Sequence, residues 1–180
     1  TPKISLRVNP GNNMKNHSTS NKLLDPNNIF EMNRLGLNDS FEAGKSITLG
    51  FDYKFDFLEV KALDEEGYYI NQKDKFLEFK LATVFRDRLE PEIPISSTIN
   101  KKNSGLFGSI NNHLFENLEL GYDFIINNNY DNFESHILSS KFSINNFVTE
   151  FDYVERTSNL GADHMLSNKT SYEIDENNIL

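Results

Sequence analysis

Three groups of residues in this chain have types and spacings that chemistry uses, and none completes a site. Gly44-Lys45-Ser46 has the ending of a phosphate-binding loop, but the glycine required five positions earlier is replaced by Asp39. The residues that follow alternate as a strand where that motif needs a helix. Asp64-Glu65-Glu66-Gly67 is acidic enough for a calcium loop but lacks the alternating ligand positions, and reads as a solvated turn. The four histidines, His17, His113, His136 and His164, are scattered, with no i, i+4 pair and no carboxylate at ligand spacing. There is no Gly-x-Ser-x-Gly elbow, and the carboxylates are too dispersed to single out a catalytic pair. No catalytic, cofactor-binding or metal-ligating residue is therefore assigned. No cofactor is expected, and an enzyme is the least supported class.

The charged residues do describe a water-lined surface. Asp52, Lys54, Glu78, Lys80, Arg86, Glu119, Asp123, Glu150 and Asp152 all stand in runs where apolar and polar residues alternate. A strand points successive side chains to opposite faces. These nine therefore belong to polar faces, which line a lumen passing a polar or charged ligand or meet bulk water on a soluble antiparallel domain.

The run that shows this best is Ser46–Phe55, SITLGFDYKF. Ile47, Leu49, Phe51, Tyr53 and Phe55 fall on one face, and Ser46, Thr48, Gly50, Asp52 and Lys54 on the other. About ten residues is the length a tilted strand needs to cross a bilayer, and terminal aromatics suit the interfacial girdle. The same pattern predicts strands at 3–8, 45–56, 75–87, 105–111, 117–126, 133–144, 147–155 and 168–174. The segment Ile29–Arg34 is left open between a short strand and a loop. Asp25-Pro26-Asn27-Asn28 reads as a turn, and Asn145-Asn146 as a two-residue hairpin. With 9–44 taken as one connection, the short turns at 112–116, 145–146 and 176–178 fall on one side of the sheet. The connections 9–44, 88–103, 127–132 and 156–166 fall on the other, as in outer-membrane barrels with short periplasmic turns and long outer loops. The connection 57–74 breaks that order.

Composition agrees. The 180 residues are 37% hydrophobic with fifteen Phe, seven Tyr and no Trp, and the mean hydropathy is -0.55. An aromatic-rich, aliphatic-poor chain fits a sheet with one apolar face and one wet face. No stretch approaches the roughly 18 consecutive apolar residues of a membrane helix. The net charge of -9 argues against a nucleic-acid partner. The absence of Cys excludes disulfides and thiolate metal sites. Asn, at 25 residues, concentrates in the connections, where it caps turns. No signal peptide is read at the start, where TPKISLRV already alternates, and both ends read as cut, so the chain is expected to be an internal piece of a longer protein.

The block from Asp25 to Lys54 resembles a segment of the LptD family of LPS-assembly outer-membrane proteins, also called organic solvent tolerance proteins. The residues that carry the likeness are Asn33, Arg34 and Asp39, followed by a strand with Thr48 and Gly50. Similar in order are Val84-Phe85-Arg86-Asp87, Leu106-Phe107-Gly108-Ser109 and Asn117-Leu118-Glu119-Leu120-Gly121-Tyr122-Asp123. The resemblance runs through nearly the whole chain, as the middle of the barrel.

That resemblance implies an all-β fold, with residues 1–180 giving about eight antiparallel up-and-down transmembrane strands of a larger barrel. The N-terminal jellyroll and the closing strands that form the lateral gate are missing from it. It implies a non-enzymatic role in the translocon that inserts lipopolysaccharide into the outer leaflet of the Gram-negative outer membrane. The implied partners are lipopolysaccharide, an LPS-assembly lipoprotein plug and a periplasmic LPS bridge. No gate, disulfide or lipopolysaccharide-contacting residue carries over. Another porin or channel barrel and a soluble all-β binding domain are the alternatives. On the barrel reading Ile47, Leu49, Phe51, Tyr53, Leu118, Leu120, Tyr122 and Phe124 meet lipid, and Thr48, Asp52, Glu119 and Asp123 meet water.

Overall fold

The computed structural model describes residues 1–11, 23–37, 41–57, 75–93, 95–158, 161–175 and 178–179. His17, Asp39 and the acidic turn at 64–67 lie outside them, as does most of the connection 57–74. Eight long strands form one antiparallel up-and-down sheet: β1 (Pro2–Asn9), β2 (Gly44–Phe57), β3 (Lys75–Arg86), β4 (Asn103–Phe115), β5 (Leu118–Ile126), β6 (Phe133–Ile144), β7 (Phe147–Ser158) and β8 (Gly161–Asp175). A two-residue β9 (Asn178–Ile179) pairs with the end of β8. Spatial order follows chain order, and β1 does not pair with β8 or β9, so the sheet is open.

Several boundaries differ from the sequence reading. β4 starts two residues before Gly105 and runs on to Phe115, which shrinks the expected turn at 112–116 to the pair 116–117. The polar run 111–113 stays in the strand because its amides still pair across the sheet, with a bulge between Asn112 and Phe115. The expected loop at 156–166 is mostly strand. Arg156 pairs with Asp163 and Thr157 with Ala162, so ladder hydrogen bonds override the polar composition there. Ile29–Arg34 is not a strand; it opens in a 3-10 turn at Asn28–Phe30. The Asp25-Pro26 turn forms as expected, with Asp25 Oδ1 accepting from the amides of Asn27 at 2.7 Å and Asn28 at 2.9 Å. Asn145 takes φ 49°, the left-handed backbone that a two-residue hairpin requires.

Register decides the faces. Ile4 pairs with Leu49, and Phe51 with Leu81. Leu81 pairs with Gly108, Gly108 with Phe124 and Phe124 with His136. Directly paired residues share a face, so all eight residues expected to meet lipid lie on one side, called the outer face. All nine charged residues singled out above lie on the other, the inner face. A slip of one residue in any pair would break this agreement.

The core sits on the inner face, near the ends of the strands that lead into connections 10–43 and 87–102. Leu24, Ile29, Leu35 and Leu37 from the first connection and Ile93 and Ile99 from the second pack with Ala82, Val84, Phe107 and Ile125 of the sheet. Phe30 lies across Gly50, where an added Cβ would stand 2.5 Å from the ring's Cζ. The glycine is thus a seat for the ring, and Lys3 Nζ lies 5.7 Å from that ring's centre. Replacing Gly50 by Val is expected to expel Phe30 and cost about 1–3 kcal/mol. Faster proteolytic cleavage within 23–37 while β2 stays protected would report it; unchanged cleavage would contradict the seating.

Candidate functional site

Two features of the sheet are candidates for function: an uncovered apolar face, and a polar face whose one end is closed by buried ions.

On the outer face, no described residue packs over the apolar rows. Leu6 is 71% exposed, Leu49 41%, Phe51 45%, Leu138 48% and Phe151 46%. Aromatic side chains mark both ends of this face. Phe55 and Phe57 meet edge to face at 4.6 Å, with Phe147 and Tyr172 paired at the same end. At the other end Phe124, Phe133 and His136 cluster. There Tyr122 Oη and His136 Nδ1 lie 2.6 Å apart, and Tyr153 Oη and His164 Nδ1 lie 3.0 Å apart. His136, Glu155 and His164 form one cross-strand row. His113 instead stacks on Phe76 at 4.3 Å.

The inner face carries opposed charges in register. Asp52 faces Lys80, Lys54 faces Glu78, and Glu119, Lys141, Glu150 and Lys169 form one row across four strands. Lys80 Nζ reaches Glu78 at 2.9 Å, and Lys141 reaches Glu150 at 3.6 Å. Small residues, Gly121 and Ser139, lie in a shallow polar depression lined also by Glu119, Lys141, Glu150 and Asp152. Asp52, Glu119 and Asp123 are partly exposed, as expected of a wet face.

Thr48 and Arg86 depart from expectation. Thr48 is 1% exposed and Arg86 6%, because residues 23–37 and 41–43, between β1 and β2, fold back over them. Arg34 is fully buried and donates from Nε to Glu42 Oε2 at 2.7 Å, from Nη2 to Glu42 Oε1 and Ser46 Oγ, and from Nη1 to Thr48 Oγ1 at 3.1 Å. Arg86 donates to Glu42 Oε1 and to the Ala43 carbonyl at 2.6 Å. Burial pushes the Glu42 carboxyl up, but the Arg34 hydrogen bonds and the charges of Arg34, Arg86 and Arg7 outweigh it and hold it below its ordinary value. Nearby, the Lys45 amide bonded to Asp87 holds that carboxyl low as well.

This cluster gives structural roles to the pattern picked out in sequence. Asn33 clips the turn before Leu37, accepting from the Leu37 amide at 2.8 Å and donating to the Leu37 carbonyl at 2.7 Å. Arg34 enters the sheet, Thr48 receives it, and Gly50 seats Phe30. Glu42 and Arg7 were missed. Arg7 sits at a polar-face position of β1, which was a signal; Glu42 precedes its strand and had none. Among the described residues no group of three His, Cys, Asp or Glu side chains is placed to hold a metal ion. No family model, curated protein or solved structure matches the chain.

Replacing Arg34 by Met leaves a buried carboxylate short of its main partner and is expected to cost about 3–5 kcal/mol, read by urea unfolding. A cost under about 1 kcal/mol would show that the cluster anchors nothing. Glu42 ionises more readily in the folded state than its ordinary value of 4.5. Its contribution is therefore fully present above that pH and is lost as pH falls through the depressed folded value. The Glu42→Gln variant is expected to be less stable at neutral pH and to lose less stability than the wild type between about pH 5 and about pH 3. Parallel pH profiles would contradict this.

Proposed function

We propose that this sheet is a section of the wall of an outer-membrane β-barrel, and that the barrel is a lipopolysaccharide-assembly translocon of the LptD type. The observation that carries the barrel reading is the single sheet whose aromatic-edged apolar face nothing described covers, opposite a face of paired charges. A soluble sandwich buries that apolar face against a second sheet, and the described residues form one sheet alone. From Ile47 to Phe57 the apolar row advances ten residue steps, about 33 Å at ~3.3 Å per residue. At a tilt of about 40° this rises about 25 Å, the height of a barrel's apolar band.

The wall belongs to a barrel of more than eight strands. An eight-stranded barrel has an interior just wide enough for its own side chains. Here Leu24, Ile29, Arg34, Ile93 and Ile99 from two connections already occupy the inner face. Closed around them, eight strands leave no room, and an open edge is not tolerated in lipid. The translocon assignment within barrels is supported by the resemblance carried by Asn33, Arg34, Asp39, Thr48 and Gly50, of which Arg34 and Thr48 are hydrogen-bonded on the inner face. The partners proposed with it are lipopolysaccharide, the lipoprotein plug and the periplasmic bridge. The role is transport without catalysis, and the site is the outer membrane.

The test is a cysteine scan of Ser46–Phe55 in outer-membrane vesicles with a water-soluble thiol reagent. Leu49, Phe51 and Tyr53 positions are expected to be protected until detergent is added, while Asp52 and Lys54 react. Thr48, buried beneath Arg34, is expected to be slow in both conditions. Protection indifferent to detergent would end the barrel reading. Depletion of the protein is expected to lower surface lipopolysaccharide; an unchanged surface would leave a barrel of another kind. Leu49→Arg is expected to cost about 2–4 kcal/mol if it lies near the midplane, and a neutral effect in a stability assay would count against the lipid face.

A further inference from the structure

Charge enters the outer face at three places. Lys45 stands on it at the start of β2, Lys75 at the start of β3 and Glu155 toward the end of β7. Glu155 is flanked in its row by His136 and His164. Strand pairing carries these positions back to β2. Glu155 leads through His136, Phe124, Gly108 and Leu81 to Phe51. On β2 itself the charge is Lys45, six residues earlier. The charged limit at the long-connection end therefore slides six residues along the strands between β2 and β7. The opposite limit slides the same way. Lys75 stands opposite Phe57, and its level on β7 and β8 is Thr149 and Thr170, two residues beyond the row of Leu77, Leu120, Phe151 and Asn168. There the apolar face continues to the paired Phe147 and Tyr172.

Six residues are about 20 Å along a strand, and the five strand spacings from β2 to β7 are about 24 Å across the sheet. The apolar band thus crosses the hydrogen-bonded rows at about 40°, the tilt of strands in a membrane barrel. From Lys45 to Phe57 are twelve residue steps, about 40 Å along β2 and about 30 Å along the normal at that tilt. This is the thickness of a bilayer's hydrocarbon core. Polar side chains left inside the band satisfy one another, as hydrocarbon requires. Thr149 Oγ1 and Thr170 Oγ1 lie 2.9 Å apart, and Asn168 Nδ2 donates to Thr149 Oγ1 at 3.0 Å.

We infer that the bilayer covers the outer face as an oblique band, with its midplane at Phe51 on β2 and at Tyr172 on β8, and that Glu155 and His164 meet the lipid headgroups of the leaflet on the long-connection side. The inference rests on the wall reading and adds which residues meet acyl chains and which meet headgroups. Lys45 reaches the same headgroup level on β2, where its ammonium complements lipid phosphate. Tyr153 Oη lies 3.0 Å from His164 Nδ1 and donates to Glu155 Oε2 at 3.1 Å. It joins the two polar groups at the border where an amphipathic ring is at home. One hydrogen-bonded row, from Phe51 to His164, rises about 18 Å from hydrocarbon to headgroups over six strand spacings.

The chain has no Cys, so a spin label can be placed singly at Phe51→Cys, Phe124→Cys, His164→Cys or Tyr172→Cys. The full chain is reconstituted in phosphatidylcholine vesicles. Electron paramagnetic resonance then reads collisions of the label with oxygen, which concentrates in hydrocarbon, and with a water-soluble nickel chelate. The oxygen-to-nickel ratio is expected to fall from position 51 through 124 to 164 and to recover at 172. The depth difference between 51 and 164 is expected to be about 18 Å. A second row, Tyr53→Cys, Tyr122→Cys and Leu166→Cys, is expected to repeat the gradient, so no single variant decides the result. Far-ultraviolet circular dichroism checks that strand content is kept. Equal depths along both rows, or a gradient of the opposite sense, would overturn the inference and leave the wall reading standing. Dominant nickel collisions at every position would end the wall reading and the inference with it.

Discussion

A pleated strand turns only every second residue to each side, and hydrogen-bonded neighbours share that phase. In this chain the constraint acts across eight consecutive strands. Ile4, Leu49, Thr83 and Leu106 are linked by successive pairings, and most charged side chains of β1 to β8 lie on the opposite side, with Lys45, Lys75 and Glu155 standing on the apolar side toward strand ends. No second sheet is needed to explain the order of the apolar rows, and none is present among the described residues. The sheet thus has one mostly apolar face and one mostly polar face.

The inner face is not uniformly wet. Where β1 and β2 meet connection 10–43 and β3 enters connection 87–102, three arginines converge on one glutamate. An exposed ion pair contributes little because water competes for both partners. A buried one is costly to assemble and costlier to break. Arg34 therefore fixes where residues 23–37 lie: with its guanidinium satisfied by Glu42, Ser46 and Thr48, the flanking Ile29, Leu35 and Leu37 pack in one cluster with Ala82 and Val84. Phe30 on Gly50 completes the seat. Further down the strands, Asp52, Lys80, Glu119 and Lys141 keep contact with solvent and pair across the sheet.

Much of this was legible in the sequence. The alternation Ile47, Leu49, Phe51, Tyr53, Phe55 against Thr48, Gly50, Asp52 has one physical reading, and β6 was bounded correctly from Phe133 to Ile144. Other features were not legible, for identifiable reasons. Residues 161–166 mix apolar and polar side chains on both faces, Ala162, His164 and Leu166 against Asp163 and Met165, so periodicity is silent there, and only the ladder pairing shows that β7 runs on to Ser158 and that β8 starts at Gly161. The burial of Thr48 and Arg86 depends on a connection that returns over the sheet, a long-range event that no local pattern encodes. Glu42 precedes β2 and belongs to no alternation, so its meeting with Arg34, Arg86 and Arg7 follows from the fold alone.

The central claim is that the outer face of this sheet meets lipid while the inner face meets water. The chain contains no Trp, so a single introduced indole reports without background. Phe51→Trp and Asp52→Trp variants, reconstituted in vesicles whose acyl chains carry bromine, place that reporter on opposite faces at nearly the same depth. The account predicts strong quenching by the brominated chains with blue-shifted emission at position 51, and quenching by aqueous iodide instead at position 52. Equal quenching at both positions, or aqueous quenching at 51, would contradict it.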